Sequence, residues 1–148
     1  MTEQKQFCTF YLDNHMFGVK VEQVQEVFRY QAMTKVPLAP PEVRGLINLR
    51  GQIITALDLR RRLGMEVRSE DKLPMNVVVR TEDGVVSLLV DEIGDVLEVS
   101  EDVHERPPET VPEGVRKLVL GVYKLEGKLL LILDSEKELA LHGYEHTY

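Results

Sequence analysis

One stretch of this 148-residue chain is written twice, and the repetition fixes what the whole can fold into. Residues 45–63, GLINLRGQIITALDLRRRL, return 76 positions later as residues 121–139, GVYKLEGKLLLILDSEKEL. Six positions are identical: Gly45/Gly121, Leu49/Leu125, Gly51/Gly127, Leu57/Leu133, Asp58/Asp134 and Leu63/Leu139. Unrelated segments of this length would share about one. Leu46/Val122, Ile53/Leu129, Ile54/Leu130 and Ala56/Ile132 keep apolar character where a strand needs it. A shorter echo lies upstream, where Val21, Glu22, Gln23, Val24, Glu26 and Val27 face Val90, Asp91, Glu92, Ile93, Asp95 and Val96 at an offset of 69. The two offsets differ by 7, so the second copy carries an insertion between its blocks. Residues 102–114, with Pro107, Pro108 and Pro112, are its natural place, because proline breaks ladders and fixes extended loops.

The local signals are those of short strands. Gln6–Leu12 alternates apolar with polar residues, Asp13-Asn14 makes a turn, and His15–Val21 continues as a second strand. Val24, Val27 and Tyr30 recur at a spacing that suits one helical turn running into a strand and does not decide between the two. Lys35–Pro41 holds three prolines and reads as loop. Gly45–Leu49 and Gln52–Leu57 are apolar runs hinged at Arg50-Gly51, where glycine takes the positive φ of a tight hairpin. Asp58 reads as the N-cap of one or two helical turns, Leu59–Leu63, that stop at Gly64. Met75–Arg80 and Val85–Val90 flank Glu82-Asp83-Gly84, another hairpin signal. Glu126-Gly127 repeats the first hinge, and Asp134 is expected to cap a closing helix from Ser135 to about Leu141.

Many short strands in a duplicated unit point to a mainly β protein of two small antiparallel barrels with short helices, each closing its own edges. A doubly wound sheet would need long helices that no segment supplies. The chain reads as a single domain, 1–148, with lobe one at 6–64 and lobe two at 75–141 and the division in the polar stretch 65–74. Strand order, and whether strands are exchanged at the lobe boundaries, is left open. Each half alone is near the size at which a core becomes marginal, so the lobes should lean on each other and leave a groove.

Charge and composition narrow the function. A net charge of −7 opposes bulk attraction to a nucleic-acid backbone, and aromatic residues, the platforms on which bases stack, make up only 6%. A nucleic-acid-binding small barrel is therefore the alternative reading rather than the leading one. Positive charge concentrates locally at Arg44, Arg50 and Arg60–Arg62; the last run reads as the solvated face of a short helix. The single cysteine, Cys8, excludes an intramolecular disulfide and alternates like a core residue. No apolar run approaches membrane-spanning length, and MTEQKQF lacks the basic start and hydrophobic stretch of an export signal, so a cytoplasmic location is expected. No nucleophile motif or phosphate-binding glycine loop occurs. His142 and His146 are i and i+4 if helical, but stand in a tail beside Gly143. Neither catalysis nor a metal or other cofactor is expected.

Val43–Leu63, with the NLRG hairpin, the apolar strand after it and the DLR turn, closely resembles the CheW-like chemotaxis coupling family. So do Val24-Gln25-Glu26-Val27 and Phe17-Gly18-Val19 upstream, and the resemblance extends over about residues 6–141. It implies two five-stranded, SH3-like β-barrel lobes without catalytic activity. It also implies an adaptor that couples the cytoplasmic tips of methyl-accepting chemoreceptors to the regulatory domain of the histidine kinase CheA within signalling arrays at the inner membrane. The length fits the free coupler, which is expected to be monomeric, better than a kinase or a response-regulator fusion. By the same resemblance Glu26, Arg50, Asn48 and Leu49 fall at receptor-binding positions, and Val24, Gly45 and Val27 at positions of kinase binding or coupling. Residues 102–117 inherit no role.

The duplication bears on these assignments independently, since positions shared by both copies serve the fold and divergent ones are free for function. At the hairpin tip Arg50 becomes Glu126 and Asn48 becomes Lys124. The barrel needs neither charge, and an arginine there offers a rigid five-donor fork. The competing reading of Arg50 is a solvated turn residue or an internal ion pair with Glu26 or Glu42. Glu26 keeps its charge as Asp95, which favours a fold role, and Val24, Val27, Ile47 and Leu49 read first as core.

Overall fold

The structure, a computed structural model, describes residues 4–69, 71–82, 84–100 and 104–134. The closing helix expected after Asp134, and His142 and His146, lie outside the described residues. Strands β1 (Gln4–Leu12) and β2 (His15–Lys20) form the first hairpin, and a 3-10 turn at Val21–Gln23 leads into β3 (Val24–Phe28). The residues around Val24 therefore resolve into a turn of helix followed by a strand. The next hairpin is β4 (Val43–Leu49) and β5 (Gln52–Asp58), followed by α1 (Leu59–Arg62), whose cap Asp58 accepts a hydrogen bond from the Arg60 amide at 3.1 Å. Strands β6 (Met75–Thr81) and β7 (Gly84–Val90) form the third hairpin. Then come β8 (Glu92–Ser100), β9 (His104–Glu105), α2 (Glu113–Arg116), β10 (Val119–Leu125) and β11 (Lys128–Leu133).

The strands form two sheets, in the orders β8-β1-β2-β11-β10-β9 and β3-β6-β7-β5-β4. Both are antiparallel except at one place each, where β2 runs parallel to β11 and β5 parallel to β7. Copy for copy, β1 to β5 correspond to β6, β7, β8, β10 and β11. Each sheet thus takes its first hairpin from one copy and its remaining strands from the other. The lobe ranges 6–64 and 75–141 do not coincide with the sheets, and a division at 65–74 cuts between β5 and β6 of the same sheet. The second sheet is continuous in sequence from β3 to β7, and the first is built from the two ends of the chain around it. The physical reason is that a parallel neighbour cannot be reached through a tight turn. Neither ladder closes on itself among the described residues: β8 and β9 are the edges of one sheet, β3 and β4 of the other.

The repeat is matched in detail. Register shifts by one residue between Val43 and Gly45 in β4 and between Val119 and Gly121 in β10, so the same bulge recurs at Arg44 and at Leu120. Beyond each hairpin the Asp58 amide donates to the Glu42 carbonyl at 2.7 Å, and the Asp134 amide to the Leu118 carbonyl at 2.9 Å.

A single large core unites the sheets, with Phe10, Leu12, Phe17 and Val19 from the first packed in one cluster with Leu57, Val77, Leu88 and Val90 from the second. The inserted segment joins it. Val111, Val115 and Leu118 are buried there, and an added Cβ on Gly114 would meet the Leu63 carbonyl oxygen at 2.7 Å, so α2 sits directly on the end of α1. What reads in sequence as a proline-rich excursion is a plug of the shared core. Cys8 is half-buried against the same cluster, and burial pushes its thiol pKa up.

Where the chain crosses from β7 into β8, Asp91 ties the sheets together electrostatically. Its carboxylate accepts from Arg60 Nε at 2.9 Å, Arg60 Nη2 at 2.5 Å, Arg68 Nε at 2.9 Å and the Asp13 amide at 2.8 Å. Arg60 Nη2 also reaches Asp13 Oδ1 at 2.5 Å, and its Nη1 donates to the Glu66 carbonyl at 2.9 Å. Arg60 is therefore buried rather than part of a solvated face, with the fixed geometry of its guanidinium spanning the β1–β2 turn and the crossover together. This network floors the groove between the lobes, a cavity of about 870 Å³ bounded also by Tyr11, His15 and Leu73. Burial pushes the Asp91 carboxyl up, but hydrogen bonds from Arg60, the Asp13 amide and Arg68 outweigh it and hold the pKa at about 2. Hydrogen bonding to Asp91 raises that of Arg60.

Because an unfolded aspartate titrates near about 3.9, the Asp91 contribution is fully present above that pH and is lost as pH falls toward about 2. Asp91→Asn should therefore cost about 2–4 kcal/mol at neutral pH by leaving two buried guanidiniums short of charge. The variant should also show a shallower acid limb between about pH 4 and 2, as read by urea midpoints across that range. A second expectation follows from the exchange of strands. Residues 1–69 and 71–148 produced separately should each lack a cooperative transition, while their mixture regains the native circular dichroism spectrum.

Candidate protein-interaction site

The Arg50-Gly51 turn has positive φ at both central residues, 51° and 89°, the type I′ geometry that matches strand twist in a two-residue hairpin. An arginine in this conformation is unusual and is held by its surroundings. Asn48 Oδ1 accepts from the Gly51 amide at 2.8 Å, and the Asn48 carbonyl accepts from Gln31 Nε2 at 2.8 Å. In the second copy Glu126 does not have positive φ and only Gly127 does, at 79°. The hairpins thus differ in backbone as well as in charge, and Asn48, replaced there by Lys124, belongs to the device that sets the first one.

From this turn Arg50 reaches back to β3. Its Nη1 donates to Glu26 Oε1 at 3.1 Å and its Nη2 pairs with Glu26 Oε2, a two-pronged ion pair whose arginine side chain is 71% exposed. Hydrogen bonding to Glu26, with its charge, raises the arginine pKa. Strands β3 and β4 are opposite edges of the second sheet, so this pair and the Gln31–Asn48 bond join by side chains what the ladder leaves apart. Beneath them Phe28, Met33, Leu49 and Val85 pack on Ile47, Ile54 and Val78. Of the readings open for Arg50, the internal pair with Glu26 is the one found.

The remaining predicted residues separate. Ile47 is fully buried, and Val24 is half-buried against the shared core. Leu49 is half-buried and Val27 is exposed at 41%, one of the larger apolar side chains on the surface, so Val27 is not core. Val96, its counterpart in the other copy, is exposed at 55% on the opposite lobe's edge strand. Gly45 is buried, and a Cβ there would lie 2.6 Å from the Thr34 carbonyl oxygen and 3.0 Å from Met33 Cβ. Thr34 bridges to Leu46 through amide–carbonyl bonds of 2.9 and 2.8 Å, so Gly45 is the place where the segment after β3 lies flat against the β4 edge. Glu26, Arg50, Asn48 and Leu49 therefore gather at one apex, Gly45 lies further along β4, and Val24 and Val27 are on β3.

The equivalent pair in the second copy is Asp95 and Glu126, two acids that cannot bond in this way. A lobe of this design therefore stands without the ion pair. The sequence model of the CheW-like domain matches residues 6–141. The chain belongs to the CheW-like family. It is 32% identical to the chemotaxis protein CheW of Bacillus subtilis over 142 residues, covering 91% of this chain and 86% of that protein. The CheW of Thermotoga maritima is also 32% identical, over 87% of this chain and 83% of its own length. Among solved structures, the scaffolding protein TtCheW from Thermoanaerobacter tengcongensis superposes with a TM-score of 0.82 at 28% identity, covering 97% of this chain and 92% of that one. The fold is accordingly mainly β, with two SH3-like lobes, and the CheW-like chain at hand is an adaptor of chemotaxis signalling.

Gly45→Ala should cost about 1–3 kcal/mol, because the methyl group must displace either β4 or the Thr34 segment. A lowered denaturant midpoint, with faster exchange of the Thr34 and Leu46 amides than in the wild type, is the expected result.

Proposed function

We propose that this CheW-like chain is a non-catalytic scaffold that couples chemoreceptor tips to the regulatory domain of the histidine kinase CheA, using the Arg50 apex as its receptor contact. What supports the reading is family membership together with an arginine 71% exposed at a hairpin tip where the second copy carries Glu126; its internal pair with Glu26 is the contact that a partner would replace or extend. Glu26, Arg50, Asn48 and Leu49 form the receptor-facing group, with Val24 and Val27 elsewhere on β3 and Gly45 further along β4 shaping the kinase contact or its coupling. Exposed Val27 supplies the apolar area that a docking helix or strand edge would cover.

Such a scaffold performs no chemistry. It holds receptor and kinase at a fixed separation, so that a shift in one biases the other through contacts made better in one state than in the other. No helix among the described residues is long and apolar enough to cross a membrane, and the scaffold acts in the cytoplasm, drawn to arrays at the inner membrane by its receptors. The nucleic-acid reading is the weaker one, with the acidic net charge against it.

Pull-down of purified protein against a receptor signalling fragment and against the kinase regulatory domain tests the proposal, and binding to neither would remove it. Arg50→Ala should weaken receptor capture at least about tenfold while leaving the thermal midpoint near wild type, since an exposed ion pair adds little to stability. Unfolding of the variant, with full affinity per folded molecule, would instead make Arg50 a fold residue.

A further inference from the structure

A second concavity, of about 610 Å³, opens between the segment after β3, the start of β4, α1 and the loop leading into β6. Its charged lining is entirely cationic among the described residues: Lys35, Arg44, Arg61, Arg68 and Lys72. That is a marked concentration in a chain of net charge −7.

The arginines here are not saturated from within. Asp58, fully buried behind them, has Arg44 at 3.7 Å, Arg61 at 4.0 Å and Arg68 at 3.9 Å, all beyond hydrogen-bond length. Arg68 donates its Nε to Asp91, while its Nη2 and the Asp58 Oδ2, both buried, have no hydrogen-bond partner among the described residues. The charge that the groove presents to solvent is therefore that of Lys35, Arg44, Arg61 and Lys72, all exposed, with Arg68 behind them. Four guanidiniums, of Arg44, Arg60, Arg61 and Arg68, share three carboxylates, of Asp13, Asp58 and Asp91, before Lys35 and Lys72 are counted. The nearby Asp71 carboxylate is exposed, accepts from the Ser69 hydroxyl and does not line the groove.

The remaining wall is apolar. Val67 and Leu73 are more than half exposed, and Pro41 and Pro74 stand beside them. Among the described residues Tyr30 is the single aromatic in the lining and no glycine is part of it, which disfavours a nucleotide. Cations set against exposed aliphatic surface match a peptide that carries both carboxylates and leucine-like side chains.

We propose that this groove docks an acidic, leucine-containing segment of a partner protein. Its carboxylates meet Lys35, Arg44, Arg61 and Lys72, and an aliphatic side chain covers Val67 and Leu73. The groove is distinct from the Arg50 apex, and the proposal holds whether or not that apex contacts receptors.

Fluorescence anisotropy with a labelled peptide of Glu-Glu-Leu repeats tests it, with the matching Gln-Gln-Leu peptide as the neutral probe. The acidic peptide should bind saturably at about 50 mM salt, lose at least about tenfold in affinity by about 300 mM, and outbind the neutral one by at least about tenfold. The double variant Lys35→Glu/Lys72→Glu should weaken binding at least about tenfold with the thermal midpoint near wild type, since both lysines are exposed and, among the described residues, the only charge acting on Lys72 at close range is that of the neighbouring exposed Asp71. Leu73→Ser should weaken it severalfold with the same salt slope, and Arg61→Gln provides an independent charge change. Equal binding of both peptides, full affinity in the double variant, or no saturable binding at low salt would overturn the proposal. Displacement by inorganic tripolyphosphate with Leu73→Ser silent would also overturn it, assigning the groove to phosphate instead.

Discussion

Two parallel pairings, β2 against β11 and β5 against β7, determine the rest of this molecule. Each joins strands from different copies of the duplicated unit, so neither sheet is complete until distant parts of the chain have met. The lobes are consequently two products of one folding event. Loop-closure entropy has to be met before those contacts return anything, which places most of the stabilisation in the shared core and little in any isolated hairpin. The plug formed by Val111, Val115 and Leu118 belongs to the same logic, because the reciprocal exchange leaves α1 and β10 facing a space that the inserted segment fills.

Asp91 stands where the continuous lobe hands the chain back to the divided one. Its carboxylate gathers Arg60 from α1, Arg68 from the following loop and the Asp13 amide from the first hairpin turn, so one small group registers three elements from both lobes. Core packing tolerates small sliding between sheets, whereas a two-pronged guanidinium contact does not. The network therefore supplies orientation where the hydrophobic core supplies cohesion. A scaffold that transmits geometry between partners has use for both, since a flexible seam would dissipate the shift it is meant to pass on.

The sequence was most legible where a signal is local. The Arg50-Gly51 hinge and the Asp58 cap are each dictated by a few adjacent residues, and all four hairpins, β1–β2, β4–β5, β6–β7 and β10–β11, stand where the sequence signals put them. Strand partnership was not legible, because the duplication says which strands are equivalent and nothing about which are neighbours. Arg60 was missed for a related reason: in sequence it is one of three consecutive arginines, and only the fold brings Asp13 and Asp91 to it. Val111, Val115 and Leu118 follow i, i+4, i+7 spacing, a helical signal that three nearby prolines obscured. At the candidate site the divergence between copies singled out Arg50, which is exposed; an internal pair with Glu26 or Glu42 was the competing reading, and the curling that brings β3 over the β4–β5 tip decides for Glu26.

That bond changes how the apex has to be understood. The Arg50 fork is already satisfied by a carboxylate in the free protein, so a partner that engages it must replace the Glu26 contact or add to it. An arginine held in this way arrives with its side chain ordered and its turn fixed by Asn48, and little further freedom is lost when a partner binds. The sister lobe offers Asp95 and Glu126 at the same two positions, an acidic apex that no such partner would mistake for the first. The two copies thus end in hairpin tips that differ in backbone and in sign, so the two ends of a pseudo-symmetric molecule are chemically distinct.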